Sequence, residues 1–164
     1  MQQEYRELVG EFVALLKERF GADLVSVVLY GSVATGTARP TSDVDVCVVI
    51  RNLPASLRER TKLITPLLRA LRNRPSYRQL ADRGYFPEIM PILYTPDEVR
   101  ETKPIFLDMV EDSLILVDDG TFAAKLTALR DRLAALGSQR VTLEDGTQYW
   151  VLKPDLKPGE VVTL

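Results

Sequence analysis

Histidine is absent from this chain of 164 residues, and cysteine occurs once, at Cys47. Without imidazole there is no Ser-His or Cys-His nucleophile pair and no zinc site built on histidine. A single thiol makes neither a disulfide framework nor a multi-cysteine zinc site. Acid-base and metal chemistry therefore fall to carboxylates. Long apolar runs are missing too: the opening MQQEYRELVGEFVALLKERF is charged throughout, which argues against a signal peptide or a membrane span. With Cys47 inside an apolar run, the expected setting is reducing and cytoplasmic, with no membrane partner. Repeats, low-complexity stretches and long linkers are also absent. The length and a 46% hydrophobic content suit one domain that buries its own core.

Acidic and basic residues nearly balance, 23 against 21, but they are unevenly spread. From Arg51 to Arg83 the chain carries Arg51, Arg58, Arg60, Lys62, Arg69, Arg72, Arg74, Arg78 and Arg83 against only Glu59 and Asp82, whereas Asp97 to Asp119 is mostly acidic. One face is expected to be basic, either as plain solvated surface or as a docking surface for an anionic protein or RNA.

Apolar residues at helical spacing from Tyr5 to Phe20 predict a first helix closed by Gly21. Val25 to Tyr30 and Val44 to Ile50 read as buried strands, and a leucine stripe from Leu57 to Leu71 reads as a long helix with most arginines on its other side. A strand is expected at EIMPILY, a short helix over Ile105 to Val110, and a strand at LILV. A last helix should be capped by Thr121 and ended by Gly137, followed by a hairpin in VTLEDGTQYWVL turning at Asp145-Gly146. The alternation predicts an α/β or α+β fold with a small central sheet. In the tail LKPDLKPGEVVTL, a final apolar strand would cover a sheet edge or recruit a partner. Trp150 is expected to pack in the hairpin rather than stack on a base.

The chemistry concentrates in VVLYGSVATGTARPTSDVDVCVVI, Val27 to Ile50. Residues two apart in a strand share a face, so Asp43 and Asp45 project together while Val44 and Val46 enter the core. Two adjacent carboxylates repel unless a cation lies between them, and hard oxygen ligands select Mg2+ or Mn2+. Gly31 permits a sharp turn, and Ser32 with the small residues after it would open a short helix whose free amides face an anion. Only ten residues separate Ser32 from Asp43, so the phosphate cradle and the carboxylate pair must lie close together. From average residue usage the whole string arises by chance in roughly one chain in several hundred, which favours a functional origin over a chance turn.

GSVATGTARPTSDVDV resembles the Gly-Ser-(x10)-Asp-x-Asp signature of the DNA polymerase beta nucleotidyltransferase superfamily, and the short chain looks like its minimal nucleotidyltransferase branch. The resemblance implies a mixed sheet flanked by helices, with residues 1–120 as the nucleotidyltransferase domain and 121–164 as a helix-and-hairpin extension packed on it. It also implies a nucleoside triphosphate, with ATP the expected one, held by Gly31, Ser32 and Ser42. Two divalent ions, Mg2+ or Mn2+, would be held by Asp43, Asp45 and a third carboxylate. Members often carry arginines just after Gly-Ser, where this chain has Val33 and Thr35. Glu88 is the nominee for the third carboxylate, as the one acid of the next strand. Alternatively, Glu88 caps that strand's exposed start and Met90 occupies the ligand position. The family's minimal enzymes include antitoxins that add AMP to a HEPN-domain toxin, which makes a HEPN-type protein the expected acceptor. A binding-only module and a small-molecule, antibiotic-type transferase are the alternatives, and nucleic acid is not favoured.

Overall fold

The computed structural model describes residues 1–144 and 148–164. A 3-10 turn at Gln3–Tyr5 leads into α1 (Arg6–Phe20), then β1 (Leu24–Tyr30), α2 (Gly31–Thr35), β2 (Val44–Ile50), α3 (Leu57–Arg72) and α4 (Pro75–Asp82). The second half supplies β3 (Ile89–Tyr94), α5 (Pro96–Arg100), α6 (Ile105–Met109), β4 (Leu114–Asp118), α7 (Thr121–Ala135) and the pair β5 (Gln139–Thr142) and β6 (Gln148–Val151). The central sheet runs β3-β2-β1-β4. β1 is antiparallel to both neighbours and β2 is parallel to β3, so the sheet is mixed.

Period-two alternation gives this sheet two apolar faces. Val27, Leu29, Val44, Val46 and Val48 face α1, α3 and α4, where Leu8, Phe12, Leu16, Ile64 and Leu67 close over them. Val25, Val28, Cys47 and Val49 face the other way, under Phe106, Met109 and the α7 residues Phe122, Leu126, Leu129 and Leu133. Both central strands are therefore covered on both sides, which is why they read as apolar runs interrupted only by Ser26 and Asp45. Cys47 has no exposed surface, and burial pushes its thiol up to about 12, so it serves as core.

Several expectations change in the structure. Tyr5 lies in the 3-10 turn before α1, yet is fully buried. α4 and α5 were not anticipated, although each starts with proline at its first positions, and Thr95 and Glu98 form a reciprocal capping box at α5. Thr121 is not the cap of α7. That position belongs to Gly120, and the orphan amides of Phe122 and Ala123 donate to the Asp118 carboxylate at 3.1 and 3.0 Å. The Asp145-Gly146 turn lies outside the described residues. Residues 152–164 form no strand on a sheet edge; Leu164 packs instead against the α7 face, as does half-buried Trp150.

The basic surface keeps Arg58, Lys62, Arg69, Arg74, Arg78 and Arg83 exposed, but Arg60 is buried. Its guanidinium donates to the Pro54 carbonyl at 2.6 Å, to the Leu93 carbonyl at 3.0 Å and, in fork geometry, to Glu98 at 2.8 and 2.9 Å. It thus ties α3 to the end of β3 and the start of α5. Arg60→Leu is expected to destabilise the fold by about 2 kcal/mol, because the carbonyls and Glu98 lose their donors while Glu98 stays partly solvated. Urea unfolding curves would measure it, and a loss within experimental error would show that the pair is energetically idle.

Candidate active site

The end of β1 and the start of β2 meet because the two strands pair antiparallel, with Tyr30 opposite Asp45. At Gly31 the backbone takes φ 71°, a left-handed conformation, and turns directly from strand into α2. Val33 and Ala34 anchor α2 in the core. Gly36, at φ 83°, closes the helix with its amide on the Ser32 carbonyl at 3.0 Å. The turn also leaves room for a neighbour: a Cβ built on Gly31 would lie 2.5 Å from Asp45 Oδ2. Glycine is needed here for its backbone conformation and for the space it leaves to the carboxylate.

Burial, reinforced by the charge of Asp43, pushes the Asp45 carboxyl up to about 6. The same burial, with Asp45 next in weight, pushes the Tyr30 hydroxyl far above its ordinary range. Hard carboxylate oxygens two apart on a strand beside a small-residue turn fit a divalent ion arriving with an anionic ligand. Ser42 plays a different part: its Oγ accepts the Arg39 amide at 3.0 Å and its own amide donates to the Arg39 carbonyl at 2.9 Å, closing the turn before Asp43.

The structure does not bring Glu88 to the aspartate pair. Its carbonyl accepts the Val44 amide at 2.8 Å, fixing the start of β2 against β3. Its carboxylate is taken by the Tyr77 hydroxyl and by Arg72, the latter at 2.6 Å, on the α3 and α4 side of the sheet. Partial burial pushes this carboxyl up, but the bonds from Tyr77 and Arg72 outweigh it and hold it below the usual carboxylate range. The residue in register with Asp45 is Met90. Parity was the misleading guide, because Glu88 precedes the strand and is free to turn to the opposite face. Among the described residues, no three His, Cys, Asp or Glu side chains stand close enough to share one ion.

Gly31, Ser32 and Asp45 form one wall of a cavity of about 480 Å3, extended by Tyr30, Thr35 and Thr37. The rest of its lining comes from Ile105 and Asp108 of α6, Asp112, and Arg140 and Gln148 of the β5–β6 hairpin. Arg140 donates to Glu111 at 3.0 Å and pairs with Asp112, pinning the hairpin to the chain after α6. None of these residues was nominated from sequence. The available signals were the acidic stretch Asp97 to Asp119 and the four-residue spacing of Asp108 and Asp112, but nothing in that stretch shows which sheet face it returns to.

The family model described as Nucleotidyltransferase domain matches residues 9–88. A curated Methanocaldococcus jannaschii protein named "Putative protein adenylyltransferase MJ1305" is 32% identical over 117 residues, 70% of this chain and 73% of that protein. Among solved structures, a toxin-antitoxin with AMP-PNP superposes with TM-score 0.50 at 20% identity, covering 77% of this chain and 89% of that one. Spectinomycin adenyltransferase AAD(9) from Enterococcus faecialis, with ATP and spectinomycin, gives TM-score 0.52 at 13% identity, covering 79% of this chain and 66% of that one. At those identities the two structures share the fold alone. With a Gly-Ser turn and an Asp-x-Asp strand start facing one another across β1 and β2, and a relative matched over most of its length, the chain belongs to the nucleotidyltransferase family.

Proposed function

We propose that this nucleotidyltransferase moves AMP from ATP to a hydroxyl on a partner protein of HEPN type. The observation that carries the reading is the juxtaposition of the Gly31–Ser32 turn with the Asp45 carboxylate in one cavity. The protein adenylyltransferase name of the Methanocaldococcus jannaschii relative supports a protein acceptor. Asp43 and Asp45 would hold Mg2+, which when bound neutralises triphosphate charge and polarises the reacting phosphate. The chain's own contribution is position: α2 aims its first amides at the phosphates, buried Val33 and Ala34 keep that turn rigid, and Tyr30 flanks the strand end. Incubation with labelled ATP, Mg2+ and a HEPN-type protein should yield an adenylated acceptor by intact-mass measurement. No adduct, with ATP still bound, would remove the acceptor assignment.

A binding-only module is the second reading, favoured by Met90 standing where a third carboxylate was sought. Metal-dependent release of pyrophosphate separates the two. Exposed Arg69 and Arg72 lie on α3, with Arg72 reaching Glu88 on the α3 and α4 side of the sheet. Association with an acidic partner should weaken with salt, since exposed charges are screened beyond about 8 Å at physiological ionic strength. Arg69→Glu with Arg72→Glu should slow association measurably in stopped-flow or biolayer traces; salt-independent, unchanged association would return this face to ordinary solvated surface.

A further inference from the structure

Resting on the transferase reading, we propose that Asp108 is the proton acceptor for the incoming hydroxyl. Strand β3 offers no carboxylate to the cavity, because Glu88 is held by Tyr77 and Arg72 and Met90 lies beside Asp45. Besides Asp45, among the described residues only Asp108 and Asp112 bring carboxylates to the cavity lining. Asp112 is committed to Arg140, whereas Asp108 has no hydrogen bond or ion pair among the described residues. Asp108 therefore lines the same cavity as the Gly31–Ser32 turn, with no bonded partner among the described residues. Asp108 is exposed, so the acceptor can reach it from solvent; partial desolvation pushes its carboxyl up, with Arg140 opposing and Asp112 adding.

In the step, the acceptor oxygen attacks the α-phosphorus while its O–H bond breaks and the proton passes to Asp108. The new O–P bond forms, the bond from the α-phosphorus to the oxygen bridging to the β-phosphate breaks, and pyrophosphate leaves with that electron pair. Arg140 is a positioning residue, holding Asp112 and the hairpin so that Asp108 keeps its place in the cavity lining.

The test uses the full chain with labelled ATP and Mg2+, with water and glycerol as acceptors so that no partner need be known. Pyrophosphate release reports turnover, and equilibrium binding of a non-hydrolysable ATP analogue reports the nucleotide side. Asp108→Ala and Asp108→Asn should lose about 10²- to 10⁴-fold in rate with analogue binding unchanged. Asp108→Glu should keep part of the rate, and formate should return part of the Asp108→Ala rate but none of that of Asp108→Asn. A rate in Asp108→Ala within about tenfold of wild type, or no response to formate, overturns the assignment. A wild type that binds the analogue yet releases no pyrophosphate removes the transferase reading and the proposal with it.

Discussion

Asp45→Asn is expected to abolish Mg2+-dependent nucleotidyl transfer and, at neutral pH, to leave the protein more stable than the wild type. Folding raises the Asp45 carboxyl from 3.8 to about 6, so the folded chain holds a proton there that the unfolded chain has already lost. The associated stability is fully present below about pH 4 and is lost as pH rises through about 6. Above that, the charged carboxylate costs about 1 kcal/mol, after discounting the full shift for a side chain that water still reaches. Asparagine removes that cost, so its melting temperature at neutral pH should exceed the wild type's by roughly 2–4 °C, and the loss of stability between pH 4 and 6 should flatten. Mg2+ with an ATP analogue should raise the melting temperature of the wild type only. Full transfer by this variant, or a wild type whose stability changes from pH 4 to 6 in parallel with that of the variant, would be incompatible with the site as described; lowered carboxylates such as Glu88 act on both alike.

Gly31→Ala should be equally damaging to activity, by a different route. The new methyl would have to occupy a position 2.5 Å from Asp45 Oδ2, and the backbone at φ 71° disfavours any Cβ. The conformational strain alone is about 1–2 kcal/mol. Relief requires either Asp45 to swing out of the cavity or the turn to open, and each separates the phosphate cradle from the carboxylate. A fall in turnover of about a hundredfold or more follows, with a lowered melting temperature rather than the raised one of Asp45→Asn. Opposite signs in stability with a shared loss of activity distinguish the two variants. An alanine variant with wild-type turnover would show that the close approach is not required.

The parts of this site that sequence made legible are those coded within one short stretch. Gly31, Ser32, Asp43 and Asp45 lie at the adjoining ends of two consecutive strands, so parity and a ten-residue spacing suffice to bring them together. Glu88 was misplaced because its side chain is set by tertiary partners, Tyr77 on α4 and Arg72 on α3, and α4 itself gave no strong apolar period. Arg60 was misread for the opposite reason: a charged side chain on a helix usually means solvent, and only the fold shows that two carbonyls and Glu98 converge on it. Asp108 and Arg140 lie on elements whose return to the α7 face is a matter of packing, for which no local pattern exists.

The two parts of the cavity lining differ in how far apart along the chain their residues originate. The turn and aspartate wall is drawn from Tyr30 to Asp45, whereas the rest of the lining runs from Ile105 to Gln148. In the proposed reaction, triphosphate handling would thus be written in one uninterrupted paragraph of sequence, fixed by a strand pairing that forms between near neighbours. The surface an acceptor would meet is written in another, joined to the first through the pairing of β4 with β1 and through packing. Exchanging the second stretch while keeping the first is a concrete way to redirect what such a chain modifies without relearning how it holds its donor.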